Sequence, residues 1–122
     1  MGRADLYPRA KREDRTADGI TFDSKREMVR YYELKTLLGA KQISGLKCHT
    51  KFTFRVGPDS MIVGTYKADF VYFDKKGNVV IEDVKAWRRT PKLRKLVPIV
   101  GRDYGIKKRL MKALFNLDVR EV

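Results

Sequence analysis

The spacing of apolar positions predicts an amphipathic helix near the start of the chain. Positions at helical intervals would share one face: Glu27, Tyr31, Leu34 and Leu38. We expect this helix to start at Asp23 or Ser24 and to run to about Leu38, since Gly39 is typical of a helix end. The carboxylate of Glu27 would then lie at the centre of an otherwise apolar face.

Alternating polar and apolar residues predict three strands after this helix, over 47–56, 65–73 and 79–85. On the first strand one face would carry Cys48, Thr50, Phe52, Phe54 and Val56. His49, on the other face, is interpreted as a surface or DNA-near residue, and Cys48 as a core thiol. The turn residues at 57–60 and 74–78 separate the strands.

The rest of the chain predicts a second helix over 104–115 and a short last strand over 118–122. On this helix the inward-facing residues would be Ile106, Leu110, Ala113 and Leu114. Residues 86–103 show no clear pattern and are expected to be irregular. The order αβββαβ indicates an α/β (α+β) fold with a mixed sheet flanked by helices. Residues 21–122 would form one domain, and residues 1–20, almost without apolar periodicity, a basic mobile arm.

Composition narrows the function to a nucleic-acid partner. The 122 residues carry 28 Lys and Arg against 15 Asp and Glu, a net charge of +13, and a small domain with this excess expects a polyanion. One Cys and one His exclude a disulfide framework and a conventional structural zinc site. With no apolar run long enough for a membrane span and no secretory signal, we expect an intracellular protein without a membrane partner.

The positive charge is concentrated in one stretch. Residues 85–112 contain eleven basic residues and a single acid, Asp103, so this stretch carries +10 of the +13. A merely solvated charged face is the alternative to a nucleic-acid surface, and the concentration favours the surface.

The hairpin between the second and third strands holds a candidate site. If Phe73 pairs with Val79, the facing pairs on one face of the sheet are Val71 with Ile81, Asp69 with Asp83, and Lys67 with Lys85. The deep part of that face would be apolar, with Val71, Phe73, Val79 and Ile81. Two opposed carboxylates repel each other unless a cation lies between them, and oxygen ligands favour Mg²⁺ or Mn²⁺. The alternatives are an exposed, charged hairpin end, or a register slip that staggers Asp69 from Asp83.

Glu27 has two interpretations that do not exclude each other. Ser24-Lys25-Arg26-Glu27 matches a capping box, in which the Glu side chain reaches back to the helix start. Its position on the core-facing side of the helix instead directs it at the sheet, near the two aspartates.

These residues resemble the PD-(D/E)XK nuclease superfamily. The resemblance rests on Asp69, on Asp83-Val84-Lys85 in the following strand, on Glu27 in a preceding helix and on the element order. Segments 66–72 and 80–85 are similar to a small phage-type endonuclease family within it. The family's Phe-x-Ser-x-x-Glu helix start is matched by Phe22 to Glu27, and its Thr after the motif lysine by Thr90. Ala86 departs from the pattern, because relatives often carry Gly there.

The resemblance implies a restriction-endonuclease-like fold and a role for each motif residue. Asp69 and Asp83 would hold Mg²⁺ (or Mn²⁺), with the Val84 carbonyl as a further ligand. Lys85 would orient or deprotonate the attacking water, and Glu27 would complete the acidic cluster. Glu82 alternates to the opposite face from Asp83 and is left out of the metal site.

The basic stretch would then bind DNA. The candidate contact residues are Trp87, Arg88, Arg89, Lys92, Arg94, Lys95, Lys107 and Lys108. Trp87 would stack on an exposed base, or would be a core or rim residue. No small-molecule cofactor is expected.

The resemblance implies a structure-specific endonuclease, with branched DNA such as a Holliday junction as substrate. Such an enzyme serves phage recombination, replication or packaging in the cytoplasm of a bacterial host. Small relatives of this type act as symmetric homodimers, because two opposed nicks need two active sites. The alternatives are a sequence-specific or nicking endonuclease, and a non-enzymatic protein that binds DNA or RNA.

Overall fold

The computed structural model describes residues 9–89, 96–98 and 103–122, and for 87–89 and 96–98 the backbone alone. A 3₁₀ turn at Arg12–Arg15 precedes the regular elements. These are β1 (Thr16–Ala17), β2 (Ile20–Thr21), α1 (Lys25–Gly39), β3 (Ser44–Val56), β4 (Met61–Phe73), β5 (Val79–Asp83), β6 (Trp87–Arg89), β7 (Leu96–Pro98), α2 (Tyr104–Phe115) and β8 (Val119–Glu121).

Four strands form a mixed sheet in the order β3-β4-β5-β8. The first three run antiparallel to their neighbours, and β8 lies parallel to β5. The predicted fold class, a mixed sheet flanked by two helices, is confirmed. Within 86–103, predicted to be irregular, β6 and β7 form a short antiparallel pair that joins Trp87 to Pro98.

The register of the β4–β5 hairpin is the predicted one as far as the ladder extends. Phe73 pairs with Val79 and Val71 with Ile81, but the last pair is Phe70 with Glu82. The ladder therefore ends one residue before the expected Asp69–Asp83 pair. The expectation that Phe73 and Val79 lie deep in an apolar face is wrong, because these side chains are 42% and 41% exposed.

The core consists of two apolar clusters on opposite faces of the sheet. Tyr72 and Val80 pack with α1, while their neighbours Val71 and Ile81 pack with α2. On α1 the predicted face is confirmed, since Glu27, Tyr31 and Leu34 are buried. On α2 the prediction is confirmed for Leu110, which packs against the second cluster, and is wrong for Ile106, Ala113 and Leu114, which are exposed; the buried residues are Tyr104 and Met111.

The side chains of β3 and β4 change faces in mid-strand. Strict alternation would set Cys48 with Phe52, yet Cys48 packs with the α1 cluster and Phe52 with the α2 cluster. Likewise Phe70 belongs to the first cluster and Ala68 to the second. His49 lies at this change with φ of 56°, in the left-handed region that residues other than glycine occupy uncommonly. The predicted common face of 48–56 is therefore wrong.

The described part of the predicted N-terminal arm, residues 9–20, packs against the domain. Ala17 is buried and Ile20 contacts the α1 cluster, and the β1–β2 hairpin leads into Phe22, which is fully buried. Residues 1–8 lie outside the described residues.

Neither of the two helices in the described part of the chain is long and apolar enough to cross a membrane.

Candidate active site

The start of α1 fixes the position of Glu27. Ser24 caps the helix, because its Oγ accepts a hydrogen bond from the Glu27 backbone N–H at 3.1 Å. The side chain of Glu27 is only 3% exposed and points toward the sheet. There its Oε1 lies 2.7 Å from His49 Nε2. The first hydrogen bond of the capping box, from the Glu27 N–H to the Ser24 side chain, is thus present. The Glu27 carboxylate contacts His49 on the sheet.

Asp69 lies on β4 at the point where the strand faces change. Its Oδ2 accepts a hydrogen bond from the Val84 backbone N–H at 2.7 Å, just beyond the end of β5. The carboxylates of Asp23, Glu27 and Asp69 each offer an oxygen, and these oxygens all lie within 4.8 Å of one another. The tertiary fold therefore gathers three acids from the start of α1 and from β4.

Burial and neighbouring charge disfavour the ionised form of two of these acids, Asp69 and Glu27. Burial, then the nearby Glu27 and Asp83 carboxylates, raise the pKa of Asp69 to about 8, against the Val84 hydrogen bond and Lys85. Burial also raises the pKa of Glu27, partly opposed by His49. Proximate carboxylates in a poorly hydrated site are stabilised by a divalent cation. The donor set, all carboxylate oxygens, fits Mg²⁺ or Mn²⁺.

Asp83 and Lys85 form a second group directly beside the first. Asp83 Oδ2 accepts a hydrogen bond from the Tyr66 hydroxyl at 2.7 Å, and its Oδ1 lies 2.9 Å from Lys85 Nζ. The ammonium of Lys85 also sits 3.8 Å from the centre of the Tyr104 ring, at cation–π distance. Lys85 is thus held between a carboxylate and an aromatic face.

The end of β8 fixes the backbone that carries this pair. The Lys85 N–H donates to the Val122 carbonyl, and the Val122 N–H donates to the Asp83 carbonyl, both at 3.0 Å. The two residues of the Asp-x-Lys motif are therefore anchored on both sides of Val84.

The structure brings the four predicted residues into one region but divides them. Glu27 and Asp69 share a cluster, and Asp83 is close enough to contribute to the raised pKa of Asp69. Asp83 is nevertheless outside the cluster of three acids, where Asp23 takes its place. Val84, expected to offer its carbonyl, positions Asp69 through its N–H. Glu82 does lie on the opposite face, paired with Arg30.

Four residues around the site were not predicted. Asp23 precedes the helix cap and lies one helical turn before Glu27, a signal that the sequence did offer. Tyr66 and Tyr104 are aromatic residues without a distinctive pattern. His49, interpreted as a surface or DNA-near residue, is the hydrogen-bond partner of Glu27, and its backbone is left-handed.

An open cavity of about 370 Å³ adjoins the Asp83–Lys85 pair. Its lining combines the second group with further basic residues: Tyr66, Lys67, Asp83, Lys85, Asp103, Tyr104 and Lys107. Lys108, also predicted to bind DNA, pairs with Glu121 at 2.7 Å. The predicted contacts Lys92, Arg94 and Lys95, and the side chains of Trp87, Arg88 and Arg89, lie outside the described residues.

The comparisons with known proteins identify one family, whose description assigns no function. Neither the curated proteins nor the solved structures contain a match to this chain. A family model described as "Protein of unknown function (DUF1064)" matches residues 9–98, which include Glu27, Asp69, Asp83 and Lys85. Because the match covers more than half of the 122 residues, the chain belongs to the DUF1064 family.

Proposed function

We propose that this protein is a Mg²⁺-dependent endonuclease that cuts branched DNA. The observation that carries the proposal is the buried crowding of Glu27 and Asp69 next to a lysine fixed by Asp83. Buried acids with raised pKa values beside a fixed cation cluster at functional sites. As an enzyme of phage type, it would act in the cytoplasm of a bacterial host.

Asp69, Asp83 and Glu27 would hold the metal, with Asp23 as a further carboxylate at the exposed side. The bound ion would neutralise the scissile phosphate and lower the pKa of a bound water. Two hydrogen bonds within the chain hold these acids in place. The helix cap at Ser24 orients Glu27, and the Val84 N–H orients Asp69. His49 fixes the direction of the Glu27 carboxylate.

Lys85 supplies a positive charge that is oriented before substrate arrives. Its side chain is only 14% exposed and lines the cavity. A fixed cation at this place stabilises the negative charge that develops on the phosphate in the transition state. Tyr104 limits the movement of the lysine, which keeps this charge beside Asp83.

The charge distribution supports DNA as the substrate. Lys67 and Lys107 line the cavity beside Asp83, within a chain of net charge +13. Lysines on phosphates provide affinity without reading the sequence. A single small domain of this kind is suited to recognising the shape of a branched substrate.

The decisive experiment is a cleavage panel of four-way, three-way, flap, single-stranded and duplex DNA with Mg²⁺. We expect preferential cleavage of branched DNA, its loss in chelator, and its recovery with Mn²⁺. Ca²⁺ should support binding with poor turnover, since its larger and looser coordination positions water badly.

Asp83→Asn tests the site within that panel. Cleavage should fall by about 10³-fold or more, roughly 4 kcal/mol of transition-state stabilisation, while DNA binding persists. Asp118→Asn is the matched control, because this side chain is 83% exposed and belongs neither to the acidic cluster nor to the lining of the cavity. Cleavage that continues in excess chelator would refute the metal mechanism. DNA binding without any cleavage by the unmodified chain would instead indicate a binding protein.

A further inference from the structure

Two lysines face each other across the β3–β4 hairpin. Lys51 on β3 is the register partner of Lys67 on β4, and both side chains are exposed. Directly opposed residues of an antiparallel pair have their Cβ atoms about 4.5–5.5 Å apart and share one face of the sheet. The neighbouring pair, Phe52 and Tyr66, packs with the α2 cluster, so the two lysines point to the opposite face of the hairpin.

The lysine pair is held without a counter-charge. Other lysines of the described residues pair with carboxylates, namely Lys35, Lys85, Lys108 and Lys112. Neither Lys51 nor Lys67 has an ion-pair partner in the part of the chain that the structure describes. Like charges directly opposite each other destabilise a sheet. An anion bound between the two ammonium groups would remove this repulsion.

Two threonines continue the same face of the hairpin. Thr53 lies two residues after Lys51, Thr65 lies two residues before Lys67, and the two threonines are register partners. Side chains two residues apart on a strand point to the same face. Lysine and threonine side chains are common partners of phosphate oxygens in protein–DNA complexes. The face therefore offers two cations and two hydroxyl groups to a phosphate chain.

The lysine pair lies between the candidate active site and the edge of the sheet. Lys67 lines the cavity that contains Asp83 and Lys85, and it is two residues from Asp69 on β4, about 7 Å along the strand. Lys51 is on β3, the outermost strand of the four-stranded sheet. A phosphate chain that occupies the cavity can thus continue over the pair toward this edge.

We propose that Lys51 and Lys67, with the hydroxyl groups of Thr53 and Thr65, bind the backbone phosphates of the DNA strand where it leaves the candidate active site. DNA as the partner rests on the proposed function, and the site extends that function to a surface outside the basic stretch 85–112. Phosphate contacts set the register and orientation of a nucleic acid without reading its sequence. The hairpin face therefore fixes how the substrate lies across the acidic cluster.

The test is the binding of a labelled four-way-junction DNA to the full chain, measured in chelator at several salt concentrations. Each phosphate contact contributes about 0.9 to the slope of log K against log salt. Lys51→Gln and Lys67→Gln should each reduce the magnitude of this slope by about one, and the double variant by about two. At roughly 50 mM salt, each single substitution should weaken binding by about 10-fold.

Charge reversal on β3 separates binding from stability. Lys51→Glu replaces the repulsion from Lys67 by attraction, so the melting temperature without DNA should stay level or rise. Its DNA affinity should nevertheless fall further than that of Lys51→Gln, because an acid then faces the phosphates. This combination identifies a binding role, since a folding defect would lower the affinity and the melting temperature together.

Lys75→Gln is the matched control. Lys75 is exposed in the turn that joins β4 to β5, and its substitution removes the same charge from the chain. The affinity and the salt slope of this variant should hardly change. Lys51 and Lys67 variants that bind DNA as tightly as Lys75→Gln would overturn the proposal. So would variants that lose affinity for RNA alone, which would assign the surface to RNA.

The binding measurement separates this proposal from the proposed function, because it needs no cleavage. A chain that binds DNA through the two lysines and cuts none of the panel keeps the phosphate site and loses the nuclease function. Cleavage of branched DNA with unchanged binding by the double variant overturns the phosphate site alone. An unmodified chain that binds no DNA overturns both.

Discussion

Two groups of buried charge lie beside each other around the end of β5: Glu82 with its partners, and the candidate site, whose Asp83 points to the opposite face of the sheet from Glu82. On the α1 face, the fully buried Glu82 accepts hydrogen bonds from Arg30 at 2.8 and 2.6 Å and from the Tyr72 hydroxyl. Around the catalytic candidates, Asp69 has one backbone donor and faces another acid, Glu27. Negative charge is matched in the first group and in excess in the second.

The difference distinguishes a structural ion pair from a candidate site. Hydrogen bonding to Glu82 raises the pKa of Arg30, so this guanidinium keeps its charge and joins α1 to the sheet. Burial and the Glu82 hydrogen bond raise the pKa of Tyr72 to about 12, so its hydroxyl remains a donor. In the crowded group, Glu27 contacts His49 and Asp23 pairs with Arg9, but Asp69 has no ion-pair partner among the described residues. A buried carboxylate without a charged partner beside other acids is a candidate functional group rather than a structural ion pair.

Removing the cation of the matched group should have the largest effect on stability. Arg30→Ala leaves Glu82 buried without its partner and should lower the free energy of unfolding by about 3–5 kcal/mol. Chemical denaturation measures this loss. Glu33→Ala is the control, since Glu33 is the exposed partner of the same arginine and should matter by about 0.5 kcal/mol or less. A loss below 1 kcal/mol (about the net value of one ordinary hydrogen bond) would mean that Arg30 does not compensate Glu82.

Neutralising an acid in the crowded group should instead reduce turnover and leave stability intact. Glu27→Gln should reduce turnover by about 100-fold, roughly 2.7 kcal/mol of transition-state stabilisation, with an unchanged or raised melting temperature. Stability is retained because the substitution removes repulsion with Asp69. Glu33→Gln on the exposed side of the same helix is the control for turnover.

If Glu27 acts only in the capping box, Glu27→Gln should not reduce turnover. Gln also serves in a capping box, so a residue that acts only as a cap would tolerate Glu27→Gln with full activity. That outcome would remove Glu27 from the site and leave the hairpin residues alone.

The crowded group should also give the metal-free protein a distinctive pH dependence. The pKa of Asp69 is raised to about 8 in the folded state, so between about pH 4 and pH 8 the folded state holds a proton that the unfolded state has released. The contribution of Asp69 to the free energy of unfolding is therefore full at low pH and falls as pH rises, by up to about 1.4 kcal/mol per pH unit. Asp18 and Asp74 have lowered pKa values and act below this window.

Denaturation at several pH values in chelator measures this decline. Asp69→Asn should flatten the curve between pH 4 and pH 8 (the window of the two pKa values), and excess Mg²⁺ should offset the decline in the unmodified chain. Equal slopes in the two proteins would contradict the crowded state of Asp69.

The smallest effect is expected at the helix cap that orients Glu27. Ser24→Ala removes the acceptor of the Glu27 N–H and should cost about 1 kcal/mol of stability. Its effect on turnover should be small beside that of Glu27→Gln, because the carboxylate and its His49 contact remain. Ser44→Ala, at the exposed start of β3, is the control. A turnover loss equal to that of Glu27→Gln would show that the cap alone holds the acid in place.

Much of the fold follows from patterns that are local. The burial of Glu27 with Tyr31 and Leu34 and the register of β4 with β5 were predicted, because helical and strand periodicities act over neighbouring residues. The position of Glu82 opposite Asp83 follows from the same alternation. The mixed sheet with two flanking helices was likewise readable from the order of these segments.

What the periodicities missed depends on contacts between distant segments. The packing of Ala17 and Ile20 requires the α1 cluster, and the group that Asp23 joins requires β4 to meet the start of α1. His49 shows the physical reason most directly. Its left-handed backbone coincides with the change of faces along β3 and places its ring beside Glu27. Residues other than glycine adopt that conformation uncommonly and keep it where the surrounding structure holds them there, so the tertiary structure selects it.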